Sequence, residues 1–154
     1  MCYRSGMEQK ILPFDLYERM LSAFSGHMVE YKGVLYPTVE HAYHCQRYAD
    51  PKIVEEIKNA RSAKLAWAVS QKYKAQQALG FDERKVAVME DICRAKLAQH
   101  DDVKEVLLWS DGMAIIKTYP DPFWGVGADG EGRNELGKLW MRLREELKRG
   151  TTGA

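Results

Sequence analysis

A cluster of glycines in the last third of the sequence sets the strongest constraint on the fold. Four of the twelve glycines lie at positions 125, 127, 130 and 132, and they include a G-x-G-x-x-G motif from Gly125 to Gly130. In a dinucleotide-binding fold this motif directly follows a strand and opens a helix that leads to a second strand. Here Pro120 to Pro122 interrupts the preceding β-prone run, and only one helical pattern follows. The sequence therefore argues against a Rossmann fold.

The same glycine-rich segment can form a ligand-binding loop or an ordinary connector. Trp124, Asp129, Arg133 and Asn134 combine a large aromatic ring, a carboxylate, a guanidinium and an amide just before a predicted helix. Free N–H groups at a helix start favour phosphate, and arginine can bind phosphate in a bidentate manner. The indole offers a flat face for a base or a sugar. Composition alone leaves both interpretations open.

Overall composition limits the classes of function. A chain of 154 residues with 45% hydrophobic residues can form one domain with a real core. The formal net charge of +1 argues against a broad non-specific contact with nucleic acid, but it allows a small phosphorylated ligand. Cys2, Cys45 and Cys93 form no C-x-x-C pair, which predicts free thiols in a reducing compartment. With no long apolar run near the N-terminus, we expect a cytoplasmic protein.

Periodicity predicts a mostly helical α+β domain with a small sheet. A hairpin is expected within residues 27–37 and a short strand at 114–119. Leucines at positions 136, 139, 143 and 147 form one stripe and predict that the last helix packs on the core. The expected helix-starting residues are Thr38, Asp50, Ser62, Asp82, Asp101 or Asp102, and Asn134. The expected division is an N-terminal segment at 1–20, one domain at 21–149 and a flexible tail at 150–154.

A lysine interrupts the apolar stripe of the longest predicted helix. Lys96 recurs with Met89, Ile92, Cys93 and Leu97 at spacings of three and four residues. Its aliphatic stem can pack while the ammonium reaches the edge of the core. Alternatively, the lysine lines a pocket, where burial lowers its pKa and makes the amine a nucleophile or an acid.

The segment from Thr38 onward places several polar side chains on one helix. Glu40 lies in the first turn, where the helix dipole favours a carboxylate, and shares a face with His44 and Arg47. His41 and His44 are three residues apart, but the sequence supplies no third metal ligand with sensible spacing. We therefore expect the histidines to pack or to form hydrogen bonds, and we expect no metal site.

Three motifs together resemble the YbiA-like or NADAR family. They are YPTVEHAYHCQRY at 36–48, RAKL at 94–97 and FWGVGADGEGRNELGKLWMRLREEL at 123–147, and the resemblance extends from about Leu21 to Leu147. It implies the family's YbiA-like fold and an N-glycosidase that cleaves a ribosyl C1′–nitrogen bond without a cofactor. One branch of the family hydrolyses early intermediates of riboflavin biosynthesis. Another removes ADP-ribose from guanine bases, reversing the modification made by a DarT-type toxin.

The resemblance also suggests roles for individual residues. It implies Glu40 and Lys96 as catalytic residues and Trp124 as a pocket wall, and it matches Asn134 to a G-x-N-x-L-G element. The resemblance and the local chemistry together give a set of expected substrate contacts. These are Phe24, His41, Tyr43, Arg47, Phe81, Trp124, Gly125, Asp129, Arg133 and Asn134.

Several positions depart from the family pattern and bear on the substrate. Ala23, Arg47, Phe81 and Val126 stand where the family often has asparagine, lysine, tryptophan and, in the riboflavin branch, an acidic residue. Among these departures, Ala23, Phe81 and Val126 favour ADP-ribosylated guanine, presented single-stranded or flipped out of a duplex, with a DarT-like toxin as genetic partner. The alternatives are a riboflavin intermediate, or a non-catalytic module that binds ADP-ribose or NAD.

Overall fold

The computed structural model describes residues 9–118 and 120–152. Helices dominate these residues, which also contain one antiparallel sheet of two strands, so the predicted mostly helical α+β fold is confirmed. The chain divides into two compact units, one formed by Ser22–Val103 and the other by the segments before and after it. The predicted boundaries of the N-terminal segment, the domain and the tail stay predictions.

The helices and strands follow one another in a simple order. They are α1 Phe14–Leu16, a π-helical turn Tyr17–Leu21, β1 Val29–Tyr31, β2 Val34–Tyr36, α2 Val39–Cys45, α3 Pro51–Lys58, α4 Ala63–Lys72, a 3₁₀ turn Lys74–Gln76, α5 Phe81–Gln99, α6 Asp101–Trp109 and α7 Glu135–Thr152. Within the described part of the chain, no helix is long and apolar enough to cross a bilayer. Residues 153–154 of the predicted tail, and Cys2, lie outside the described residues.

The unit formed by Ser22–Val103 begins with the predicted hairpin. Strands β1 and β2 pair in antiparallel register, with Val29 opposite Tyr36. Lys32 and Gly33 both have positive φ, at 51° and 81°, as expected for the tight two-residue turn that matches the twist of a hairpin. Helices α2, α3 and α4 pack against one another, and α5 packs on β1 and α2. Cys45 and Cys93 are free, buried thiols in this unit.

The helix starts agree with the predicted positions at Thr38, Asp50 and Ser62 and differ at Asp82. The side chains of Thr38, Asp50 and Ser62 each accept a hydrogen bond from a backbone N–H of the first turn. Asp82, in contrast, does not begin α5, because Gly80 adopts a left-handed φ of 78° and the helix already starts at Phe81. Helix α2 ends at Cys45, earlier than the predicted end at Asp50.

The predicted strand at 114–119 is wrong for the residues that the structure describes. Ala114 forms only one isolated parallel bridge, with Ile11. Further along, the backbone of this segment is bonded by a side chain and by the glycine-rich loop. The Asn134 amide donates to the Ile115 carbonyl and accepts the Lys117 N–H, and the Val126 N–H donates to the Lys117 carbonyl. With no neighbouring strand among the described residues, the segment forms no ladder.

Asn134 begins α7 in a different way from the predicted cap. Its carbonyl accepts the Lys138 N–H, which places it at the helix start, but its side chain bonds residues 115–117 and not the first helical turn. Its φ of 51° lies in the left-handed region, where asparagine is tolerated better than most residues. Behind it, Leu136, Leu139 and Leu143 are buried, so the predicted packing of the leucine stripe is confirmed.

We predict that Gly137→Ala destabilises the protein. A Cβ at this position would lie 2.1 Å from the Ile115 carbonyl oxygen and 2.5 Å from the Asn134 amide, so the backbone must shift. Overpacking of this kind costs about 1–3 kcal/mol. Urea unfolding should show this loss of free energy of unfolding. Gly150→Ala in the same helix is the matched control, because nothing lies within 4 Å of its Cβ, and it should not destabilise. Equal stabilities for the two variants would contradict the account.

Candidate functional site

Glu40 is a largely buried carboxylate with one oxygen fixed and one available. It lies in the first turn of α2, which the Thr38 side chain caps, and its N–H donates to the Ala23 carbonyl at 3.0 Å. Oε1 accepts a hydrogen bond of 2.6 Å from His44 Nε2, while the side chain keeps 10% of its exposure. Within the described chain, Oε2 has no hydrogen-bond partner and is not among the fully buried unsatisfied atoms. Oε2 is therefore the oxygen that can reach a ligand.

His44 is held in one tautomer by its two neighbours. Arg47 Nη1 lies 3.1 Å from His44 Nδ1, and a guanidinium can only donate, so Nδ1 must accept. The ring proton therefore resides on Nε2 and points at Glu40. This arrangement fixes Glu40 as an acceptor and orients its carboxylate. The sequence predicted that Glu40, His44 and Arg47 share one helix face, but it did not predict that Arg47 donates to His44 and His44 donates to Glu40.

Arg47 is buried and anchored from two further sides. Its Nε donates to Gln77 Oε1 at 2.8 Å and its Nη1 to Ser70 Oγ at 2.8 Å. Ser70 is itself fully buried on α4. The visible role of Arg47 is thus to position His44, and the predicted contact with substrate phosphate stays a prediction.

His41 is a structural residue, which corrects its expected role in substrate binding. The ring is buried, and its Nε2 donates to the Ala60 carbonyl at 2.9 Å. Since that nitrogen carries the proton, Nδ1 accepts from the Thr38 hydroxyl at 2.8 Å. Both nitrogens are used to hold α2 against the end of α3, and neither remains for a ligand.

Lys96 is fully buried, so the interpretation that its ammonium reaches the edge of the core is wrong. Nζ donates to the Ser22 carbonyl at 3.1 Å and to Ser25 Oγ at 2.7 Å. Burial lowers the pKa of Lys96 to about 8, although the nearby Cys93 thiol and Asp102 carboxylate oppose this shift. An appreciable fraction of neutral amine is therefore present near neutral pH, as nucleophilic chemistry requires.

One short loop contacts both predicted catalytic residues. The Ser22–Ser25 loop bonds Glu40 through the Ala23 carbonyl, and it bonds Lys96 through Ser22 and Ser25. Phe24 in the same loop is 46% exposed and offers an aromatic surface beside these anchors. The sequence pattern indicated Phe24 and the departure at Ala23 in this loop, but no signal pointed to its two serines.

The two remaining aromatic candidates of this unit are buried. Tyr43 and Phe81 contact each other edge to face, with ring centroids 5.6 Å apart, and Tyr43 contacts His44 in the same way at 5.1 Å. Phe81 keeps only 1% of its exposure. Its expected contact with substrate is therefore not supported by the structure, because the ring supports Tyr43 from within the core.

The glycine-rich loop is tightly bonded to itself. A Cβ on Gly125 would lie 2.6 Å from the Lys117 carbonyl, and one on Gly132 would lie 2.6 Å from the backbone of Val126. Only glycine allows such close approach of two backbones. The Asp121 carboxylate accepts both the Phe123 and the Trp124 N–H groups. The glycines thus serve the folding of the loop.

The expected free N–H groups at the start of α7 are not available as predicted. The N–H groups of residues 133–136 all donate to carbonyls of the loop residues 122–125. Arg133 pairs with Glu135 at 2.9 Å and lies 4.9 Å from the centre of the Phe123 ring, yet its side chain stays mostly exposed. Asp129 accepts the Glu131 N–H. Any binding of phosphate here would rest on the Arg133 side chain, and the role of Trp124 stays a prediction.

Metal-ligating side chains come close together at one place in the described chain. The ligand atoms of His27, His100 and Asp102 lie within 4.8 Å of one another. Hydrogen bonds account for this proximity: His27 Nε2 bonds Asp102 Oδ2 at 2.9 Å, and His100 Nε2 bonds the Met28 carbonyl. His41 and His44 do not form such a group with any third residue described.

Comparison with known proteins identifies the family of the chain. Residues 13–148 match the family model of the NADAR domain. N-glycosidase YbiA of Escherichia coli is 32% identical over 82% of this chain and 79% of its own length. An N-glycosidase of Nostoc punctiforme is 33% identical over 82% of this chain and 84% of its own.

A longer relative and a solved structure extend the comparison. A riboflavin biosynthesis protein of Vibrio vulnificus is 34% identical over 96% of this chain, which spans only 42% of that protein's length. The NMR structure of E. coli YbiA matches 85% of this chain and 79% of its own with a TM-score of 0.78 and 31% identity. The predicted fold, family and enzyme class are confirmed: the chain belongs to the NADAR domain family, among relatives named N-glycosidases.

Proposed function

We propose that the chain is a cytoplasmic N-glycosidase that removes ADP-ribose from guanine bases in nucleic acid. The observation that carries the enzymatic part is the state of Glu40. His44 fixes one carboxylate oxygen, and the other remains accessible in an otherwise buried setting. Lys96, a buried amine held by the same Ser22–Ser25 loop, supplies a second reactive group.

The charges that develop when the ribosyl C1′–nitrogen bond breaks explain why a carboxylate and an amine are suitable catalytic groups. Breaking a ribosyl C1′–nitrogen bond builds positive charge on C1′ and negative charge on the leaving nitrogen. Glu40 stabilises the positive charge on C1′ and activates water. Lys96 acts either as an acid toward the leaving nitrogen, or as a nucleophile that condenses with the opened sugar aldehyde. In that second route an imine forms with loss of water, and its hydrolysis regenerates the amine.

Three departures from the family pattern support ADP-ribosylated guanine as substrate. Ala23, Phe81 and Val126 replace residues that the riboflavin branch or the family often carries. The net charge of +1 implies recognition through the modification itself and not through a long nucleic-acid footprint. The modified base would have to be single-stranded or flipped out to enter a pocket. A DarT-like toxin would be the genetic partner of such an enzyme.

A riboflavin-pathway amine on ribose phosphate is the second candidate substrate. Similarity to the Vibrio riboflavin biosynthesis protein over 96% of this chain favours it. The same carboxylate and amine would perform the same bond cleavage on this smaller substrate. A non-catalytic binder of ADP-ribose or NAD is the remaining alternative, and it requires binding without turnover.

Glu40→Gln should abolish turnover while leaving ligand binding close to normal. The glutamine carbonyl can still accept from His44 Nε2, so the fold and the pocket are kept while the charge is lost. We expect kcat to fall by at least about 10²-fold, the usual scale for an acid–base or charge-stabilising group. Release of ADP-ribose measures kcat, and calorimetry measures the affinity for ADP-ribose. Unchanged turnover would remove Glu40 from the mechanism.

Borohydride reduction during turnover tests the route through an imine. We expect a covalent adduct of the sugar on wild-type protein and none on Lys96→Met, whose side chain fills the same space. If the neutral amine is the nucleophile, trapping should also increase as the pH rises through about 8, the lowered pKa of Lys96. Mass spectrometry of the reduced protein locates the adduct. Full turnover without any adduct would leave only the acid role for Lys96.

Arg47→Met should lower kcat by about tenfold or more with little change in KM. The reason is that Arg47 fixes the His44 tautomer that orients Glu40, and acid–base geometry of this kind is worth orders of magnitude in rate. Arg133→Ala is the comparison variant, since an exposed phosphate contact would raise KM instead. Initial-rate kinetics at a single pH separate the two patterns. A rise in KM alone for Arg47→Met would instead indicate the predicted phosphate contact.

A further inference from the structure

A continuous chain of hydrogen bonds leads from the buried Lys96 amine to an exposed carboxylate. Lys96 Nζ lies 2.7 Å from Ser25 Oγ, and Ser25 Oγ lies 2.8 Å from His27 Nδ1. His27 Nε2 then lies 2.9 Å from Asp102 Oδ2. No sequence pattern indicates this connection, because Ser25 and His27 come from one loop and Lys96 and Asp102 from the end of α5 and the start of α6.

The direction of donation along this chain follows from its two ends. A protonated lysine can only donate and an ionised carboxylate can only accept, so a chain that runs in one direction has Ser25 Oγ accepting from Lys96 and donating to His27 Nδ1. In this arrangement the ring proton lies on Nε2 and points at Asp102. The His27 hydrogen bond lowers the pKa of Asp102, which agrees with an ionised acceptor at this end.

Lys96, at the inner end of this chain of hydrogen bonds, is shielded from water, whereas Asp102, at the outer end, is exposed to it. Lys96 is fully buried, and the His27 side chain keeps 12% of its exposure, whereas Asp102 keeps 52%. Of the other titratable groups, Cys93 lies near Lys96, and His100 contacts the His27 ring edge to face at 4.8 Å. Among the described hydrogen bonds, His100 bonds the Met28 carbonyl and takes no part in the chain.

We propose that Ser25, His27 and Asp102 form a proton relay that connects the buried Lys96 amine with solvent. The proposal rests on the catalytic role of Lys96 proposed above, because both the acid and the nucleophile route require Lys96 to gain or lose a proton in each turnover. The three residues are positioning residues, since none of them needs to touch the substrate.

The transfer conserves every proton. Lys96 gives a proton to Ser25 Oγ as the Ser25 hydroxyl proton moves to His27 Nδ1, and the His27 Nε2 proton moves to Asp102 Oδ2. Asp102 then releases this proton to water. The net change is one proton lost from Lys96 and one gained by solvent, and the reverse sequence reloads the amine.

Nuclear magnetic resonance of protein with ¹⁵Nζ-labelled lysine tests the relay without any substrate. The exchange of the Lys96 Nζ protons with water should slow by at least about tenfold in Ser25→Ala and in His27→Ala, because the hydrogen-bonded path is broken. Ser25→Thr keeps the hydroxyl and should exchange as the wild type does. His100→Ala, which removes the ring packed on His27 and its bond to the Met28 carbonyl but no member of the relay, is the matched control and should also exchange normally. Added imidazole should partly restore exchange in His27→Ala.

The outcomes separate the relay from the proposed catalysis. Unchanged exchange in Ser25→Ala, with the wild-type chemical shift of Lys96 retained, would overturn the relay whatever the turnover. Slowing of the same size in His100→Ala would also overturn it, because packing alone would then explain the effect. Slowed exchange with full turnover would support the relay and contradict the catalytic role of Lys96. If His27→Ala does not fold, Asp102→Asn takes its place, and normal exchange in either Ser25→Ala or Asp102→Asn overturns the proposal.

Discussion

The burial of the Lys96 amine is the constraint on which the arrangement of the candidate site depends. Removing an ammonium from water is costly unless hydrogen bonds replace its hydration. The Ser22 carbonyl and the Ser25 hydroxyl provide these bonds and thereby fix the loop between them. The same loop accepts the Glu40 N–H through Ala23, so the first turn of α2 is tied to a loop that α5 holds in place. The hydrogen bonds that the buried Lys96 amine requires therefore also help to fix the position of Glu40, through the Ser22–Ser25 loop.

A second polar chain gives Glu40 its orientation. The guanidinium of Arg47 cannot accept a proton, and this simple property determines the tautomer of His44 and the direction of its hydrogen bond to Glu40. Ser70 and Gln77 hold the guanidinium in turn. Buried networks of this kind rigidify a site when all their members are satisfied. Glu40 is therefore oriented by the donors His44 and Arg47, while Lys96 is held by two acceptors, the Ser22 carbonyl and the Ser25 hydroxyl oxygen.

Much of the fold could be predicted from local signals. Caps such as Asp50 and Ser62 act within one turn, and the leucine stripe of α7 has a clear helical period. The catalytic roles of Glu40 and Lys96 were predicted from motifs that resemble the family, and they stay predictions. Failures occurred where the partner of a segment is distant in sequence. The segment after Ala114 has β propensity, but its backbone is bonded by Asn134 and by the glycine-rich loop, which no local pattern reveals. The burial of His41 and Phe81 likewise depends on tertiary packing.

The choice of substrate tests the central claim most directly. Wild-type protein and Glu40→Gln should be incubated separately with ADP-ribosylated single-stranded DNA and with the ribose phosphate amine of early riboflavin biosynthesis. Chromatography then scores released ADP-ribose and released ribose phosphate. The account predicts ADP-ribose release by the wild type, none by Glu40→Gln, and little or no cleavage of the amine. Efficient cleavage of the amine with intact ADP-ribosylated DNA would contradict the proposed substrate, and cleavage of neither with tight binding of ADP-ribose would contradict the proposed enzyme.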